Sequence, residues 1–156
     1  MAEVLQIYLA HPVGAPDAAG VEANLRRFSK WLRYLVDLAL PEPLLGQISW
    51  CAPWVAYVHA LGDDAIEYRE RGLRDTIEVL ERSDALVTIG RETPGVQREL
   101  GRAREWELPI ARIGVNGHLP PLPGEGRWWE QREHAETIRA LRDVVAAVHK
   151  RKAAMP

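Results

Sequence analysis

Apolar side chains along this chain change period several times, and each change marks an element. Val4-Leu5-Gln6-Ile7-Tyr8-Leu9-Ala10 is a short apolar run closed by His11-Pro12-Val13-Gly14-Ala15-Pro16, which predicts a buried strand followed by a loop. From Val21 to Leu40 the apolar positions Val21, Leu25, Phe28, Leu32, Leu35, Val36 and Ala39 recur at helical spacing, and Pro41 with Pro43 ends the run. Ile48-Ser49-Trp50-Cys51-Ala52 reads as a second strand stopping at Pro53, with Trp54 to His59 a loop or short helix. Leu73, Ile77 and Leu80 mark a helix between Ala65 and Arg82, and Ala85 to Gly90 reads as a strand buried on both faces. Thr93-Pro94-Gly95 opens a helix running to about Trp106, and Leu108 to Val115 is a fourth strand. Asn116 to Gly126 is a Pro- and Gly-rich loop, after which Ile138, Leu141, Val144, Val145 and Val148 form the stripe of a last helix.

Strands alternating with helices at this spacing predict an α/β fold, a three-layer, flavodoxin- or Rossmann-like parallel sheet of four to five strands with helices on both faces. In such sheets ligands bind at the carboxyl ends of the strands, where strand order reverses. All 156 residues read as a single domain, 1–156, and 47% hydrophobic residues suffice for a core without metal or disulfide staples. Twenty Lys+Arg against 22 Asp+Glu leave a net charge of −2, without the basic excess that nucleic-acid binding requires. Cys51 is the single cysteine and has no CxxC companion, which fits a reducing, cytoplasmic setting. No run reaches the ~18 apolar residues of a membrane span. The acidic start Met1-Ala2-Glu3 is unlike a secretory signal, so neither membrane insertion nor export is expected.

Glu99 is the most informative residue. On a helix opened by Pro94 it falls on the arc of Val96, Leu100, Ala103 and Trp106, which aims a carboxylate at the sheet, where desolvation disfavours its charge. The plainer alternative puts Glu99 at the helix edge, paired with Arg98 or Arg102. Thr93-Pro94-Gly95 offers free backbone N–H groups for a phosphate or carboxylate, or is simple helix initiation with Thr93 as N-cap. Asn24 and Arg27 either reach such a phosphate or lie on a solvated face, whereas Arg26-Arg27 and His149-Lys150-Arg151-Lys152 read as solvated surface. Trp54, Tyr57, Trp128 and Trp129 fall in loop-like stretches and would stack on a base or pack against another subunit. Asp84 reads as structural. His11 and His59 lack the spacing of a metal site, and neither a metal nor a cofactor is expected.

Tyr8-Leu9-Ala10-His11-Pro12, Ser83-Asp84-Ala85-Leu86-Val87 and Thr93-Pro94-Gly95-Val96-Gln97-Arg98-Glu99-Leu100-Gly101-Arg102-Ala103 together resemble the nucleoside 2-deoxyribosyltransferase superfamily, which includes 2'-deoxynucleoside 5'-monophosphate N-glycosidases. The resemblance runs from about Val4 to Val115. It implies that Glu99 is a nucleophile forming a covalent glycosyl-enzyme, with hydrolysis slightly ahead of base transfer. It also implies that Tyr8 orients Glu99, and that Thr93 and Gly95 bind a 5'-phosphate or line the sugar pocket. The implied ligand is a nucleoside or nucleotide, held in a homodimer or larger homo-oligomer whose subunits complete each other's pockets.

Two departures stand out. The family's acid, which helps bind or protonate the base, has its closest match in Asp75, displaced by one residue, and His11 stands where the family commonly has glycine. His11 would contact phosphate or fill space. Competing readings are a Rossmann-like phosphoribohydrolase, whose glycine-rich signature Pro94-Gly95 and Glu99 match only in part, and a non-catalytic module binding a nucleotide or an ADP-ribose-like signal. A flavodoxin-like interaction domain is the third. A binding module would have no need of Tyr8 close to Glu99.

Overall fold

A computed structural model of the chain describes residues 3–39, 42–62, 66–114 and 131–156. Its elements run β1 (Leu5–Ala10), α1 (Ala18–Ala39), β2 (Ile48–Cys51), α2 (Trp54–Leu61), α3 (Ile66–Glu81), β3 (Ala85–Ile89), α4 (Pro94–Glu105), β4 (Ile110–Ile113) and α5 (Gln131–Ala154). Each lies where the periodicity predicts it, with ends shifted by a few residues. The stretch left open as loop or short helix is the helix α2. The Asn116–Gly126 segment, Trp128 and Trp129 lie outside the described residues.

The four strands form one parallel sheet in the order β2-β1-β3-β4. That is the flavodoxin-like order for its first four strands. The chain passes from β1 outward to β2, then returns across β1 to β3, so strand order reverses between β1 and β3. These two central strands are buried on both faces, which is why they read as continuous apolar runs. Leu5, Ile7, Leu9, Leu86 and Ile89 are each fully buried, and truncating one of them to alanine costs about 2–5 kcal/mol. Helices cover both faces. On one side α1 and α5 are joined by Tyr34 to His134 at 2.8 Å; on the other, α2, α3 and α4 pack in sequence.

Two local features shape the carboxyl end of the sheet. β3 ends at Gly90, whose φ of 76° is the left-handed conformation that glycine adopts without strain, and the chain turns there toward α4. Pro94 then sits in the first turn of α4, where its missing N–H costs nothing. Among the described residues no helix is long and apolar enough to cross a membrane.

Candidate functional site

A cavity of about 420 Å³ opens at the carboxyl end of the sheet, within the usual range of small-molecule sites. Its walls come from the loop after β1, from α2 and α3, and from the first two turns of α4. Glu99 lies on the buried arc with Val96, Leu100 and Ala103, as its spacing predicts, and is 7% exposed. Its partner is the Tyr8 hydroxyl, which donates to Glu99 Oε1 at 2.7 Å from the adjacent strand. The edge pairing with Arg102 does not form, since Arg102 is held by Glu105 at 2.8 Å.

Burial pushes the Glu99 carboxyl up to about 7, and the Tyr8 hydrogen bond pulls it back toward the ionised form. Burial first, then the neighbouring Glu99, raise the Tyr8 phenol well above its ordinary range, and the Thr76 side chain opposes them. Tyr8 therefore stays a proton donor. The pair holds a carboxylate poised near neutrality, one oxygen engaged and the group facing the cavity.

Thr93 occupies the N-cap position of α4 with extended backbone, yet its hydroxyl makes no capping bond. It lines the cavity instead. A Cβ added at Gly95 would meet nothing within 4 Å, so the protein's own packing does not require glycine there. Both residues leave room in front of the α4 N-terminus, the positive end of a 12-residue helix dipole.

His11 is 4% exposed and lines the same cavity, and neither ring nitrogen has a hydrogen-bond partner. Its ring stands edge-on to Phe28 at 5.8 Å, and Phe28 to Trp54 at 4.7 Å. Burial lowers its pKa to about 4; the Pro12 backbone opposes this, and Arg27 adds a smaller effect in the direction of burial. His11 is therefore neutral at pH 7.

Asp75 is not brought to the cavity wall. Its carboxylate accepts from Arg71 Nε at 2.8 Å, Tyr57 Oη at 2.9 Å and Arg74 Nε at 3.1 Å. Arg71 foremost, with Tyr57 and Arg74, holds it down to about 2. A carboxylate in that state carries no proton at neutral pH. Tyr57 is the residue of this cluster that reaches the cavity, so as placed Asp75 positions Tyr57.

Other expectations are redirected. Trp54 and Tyr57 lie on α2 rather than in a loop, and the Trp54 indole donates to the Leu9 carbonyl at 2.8 Å, anchoring it in the core. Asn24 donates to the Val13 carbonyl at 3.0 Å and so holds the loop after β1 rather than meeting a ligand. Asp84 is structural: Gln6 N–H and Lys152 Nζ each reach it at 2.8 Å. His59 is exposed, away from the buried His11. Among the described residues no group of three or more His, Cys, Asp or Glu could hold a metal.

Sequence reasoning missed the α3 wall, made by Arg69, Gly72 and Thr76. Thr76 was findable, being a hydroxyl on the arc of Leu73 and Leu80. Gly72 was not. A Cβ there would lie 3.4 Å from Tyr57 Cβ, a closeness of α2 and α3 visible only once they are packed.

No family model matches the chain, and no curated protein matches it. Among solved structures it is similar to FerB, a flavoenzyme NAD(P)H:(acceptor) oxidoreductase from Paracoccus denitrificans. Identity is 13%, covering 94% of this chain and 95% of that one, with a TM-score of 0.38. A likeness at that level carries no inference.

Proposed function

We propose that this protein cleaves or transfers at the N-glycosidic bond of a nucleoside or nucleoside 5'-monophosphate, as the resemblance to the nucleoside 2-deoxyribosyltransferases implies. The observation that carries the reading is the buried Tyr8–Glu99 hydrogen bond of 2.7 Å at the wall of a ligand-sized cavity. Tyr8 engages Oε1, and the other oxygen, Oε2, attacks the anomeric carbon. The base departs with the electron pair of the glycosidic bond and takes up a proton, leaving an ester between sugar and Glu99. Water, or a second base, then attacks the same carbon and frees the carboxylate, a double displacement. Thr93, Gly95 and the α4 N-terminus face the phosphate or sugar.

A nucleophile must be ionised, and a group at about 7 is only half so at neutral pH. The Tyr8 bond favours the ionised form, and positive charge developing on the sugar favours it further.

One observation favours a non-catalytic nucleotide-binding module: Asp75, the candidate acid, is tied up away from the cavity. Release of free base from a panel of ribo- and deoxyribonucleosides and their 5'-monophosphates separates the two, with a second base added to detect exchange. Release that disappears in Glu99→Ala supports the enzyme, and binding without release supports the module.

The reading places the protein in the cytoplasm as a homodimer or larger assembly. Exposed Ile66 and Tyr68 on α3, the latter at the cavity wall, are apolar surface such an assembly would cover. Light scattering that finds a monomer at assay concentration would count against it.

A further inference from the structure

We propose that Tyr57 is a specificity-determining residue on which the planar base of the bound ligand stacks, and that Asp75 positions it through its hydroxyl. This rests on the glycosidic reading of the cavity and adds a base subsite to it.

Trp54, Tyr57 and Tyr68 all border the cavity, and the fold treats them differently. Trp54 belongs to the core, its indole fixed on the Leu9 carbonyl, and Tyr68 is 53% exposed. Tyr57 is half-buried but packs outside the core, and among the described residues no other ring lies on it. It is nevertheless held at both ends. Its backbone sits in α2, and its hydroxyl donates to Asp75 Oδ2 at 2.9 Å on the neighbouring helix α3. Asp75 is gripped in turn by Arg71 and Arg74, which keep it ionised and so a strong acceptor. A Cβ placed at Gly72 would come closest to Tyr57 Cβ, Cδ1 and Cγ, at 3.4, 3.5 and 3.7 Å, atoms along one edge of the ring. α3 thus meets Tyr57 by an edge and by the hydroxyl, and neither contact uses a face of the ring.

The cavity also sorts its groups by helix. Thr93, Gly95 and Glu99 come from α4 and Tyr57 from α2, with α3 packed against both. On a nucleoside 5'-monophosphate the phosphate-bearing arm and the base leave the sugar on either side of the ring oxygen. With the phosphate before the α4 N-terminus and the anomeric carbon at Glu99, the base extends away from the start of α4, toward α2 and Tyr57. A ring already held at two points has given up its rotamer freedom before the ligand arrives, so stacking on it costs little further ordering. Every base has a π-face, so such a platform selects for a planar group without reading its hydrogen-bonding edge.

The test is a cycle of ligand and protein changes, read as binding to the Glu99→Gln protein by calorimetry so that turnover plays no part. The probes are the ribo- and deoxyribonucleoside 5'-monophosphates of the common bases, with ribose 5-phosphate and 2-deoxyribose 5-phosphate as their base-free counterparts. Tyr57→Leu is expected to weaken the nucleotides about tenfold or more and to change the base-free sugar phosphates less than twofold. Tyr57→Phe, which keeps the ring and loses the tether, costs only a few-fold; this contrast with leucine decides alone where the sugar phosphates bind too weakly to measure. Asp75→Asn costs a few-fold by itself and nothing more when added to Tyr57→Phe, the mark of a residue that acts through the Tyr57 hydroxyl. Tyr57→Met replaces leucine if that variant unfolds. Equal losses in the Leu and Phe variants, equal losses with and without a base, no loss, or no binding of any probe overturns the stacking assignment. A further loss from Asp75→Asn on top of Tyr57→Phe overturns the positioning role. Base release by the wild type is scored separately: binding that depends on Tyr57 without release leaves the base subsite standing and removes the glycosidic reading, whereas Glu99-dependent release with binding indifferent to Tyr57 does the reverse.

Discussion

The two ends of the same sheet treat their polar side chains in opposite ways. At the amino end, Lys152 bridges Asp84 at 2.8 Å and Glu3 at 2.7 Å, while Asp84 also accepts from the Gln6 backbone N–H. Each charge there meets its opposite close to water. At the carboxyl end, a carboxyl 7% exposed has one neutral partner, and a histidine 4% exposed has none. The first arrangement closes the fold. The second leaves bonding capacity unused in the folded protein, which costs stability.

The sharpest way to break this contrast is to remove Glu99. Glu99→Gln is expected to lower base release by about 10³-fold or more while stabilising the protein at neutral pH. Burial raises the folded-state pKa from 4.5 to about 7, so the native state holds this proton more tightly than the unfolded chain. Stability is thus greatest below about 4.5 and is lost as pH rises through about 7. Glutamine is free of that loss, a gain of about 1–3 kcal/mol at pH 8 that vanishes at pH 4, readable as a melting-temperature difference.

Tyr8→Phe comes next, with an expected fall of about 10–100-fold in kcat. Because the Tyr8 bond lowers the Glu99 pKa, the acid limb of the pH–rate profile, expected near 7 in the wild type, moves upward in this variant. An unmoved limb would mean that the pair does not set the ionisation.

His11 gives the opposite pH dependence. Its pKa falls from 6.5 to about 4 on folding, so its neutral form supports the native state above 6.5, and that support is lost as pH drops toward 4. His11→Phe should flatten stability between those two values, measured by denaturant melts at several pH values.

The amino end supplies the control. Asp84→Ala is expected to cost about 1–2 kcal/mol of stability, by loss of the Gln6 and Lys152 contacts, with base release unchanged in the folded fraction. The smallest effect is expected from Asp75→Asn, a few-fold in kcat/KM through the freed Tyr57 hydroxyl. A loss as large as that of Glu99→Gln would instead return Asp75 to the chemistry.

Legibility in the sequence depended on what each inference needed. The central strands and α4 were readable because burial on two faces or one writes a period into the sequence, and Glu99 was visible as the charge that interrupts that period. The contact of Tyr8 with Glu99 spans 91 residues, and only the family resemblance suggested it; periodicity says which face a residue takes and not what it meets across the sheet. The partners of Asp75 show the same limit. Arg71 at i−4 was within reach of helical arithmetic, whereas Tyr57 on a neighbouring helix was not. His11 stands out in the sequence, but its lack of partners is a property of the packed surroundings.

Covalent chemistry at Glu99 is tested most directly by mass spectrometry of the protein quenched during turnover with a releasing nucleoside or monophosphate. The expected result is one sugar residue attached to the peptide containing Glu99, and no adduct with Glu99→Gln. Base release that continues in Glu99→Gln, with no sugar on the wild-type peptide, would contradict it.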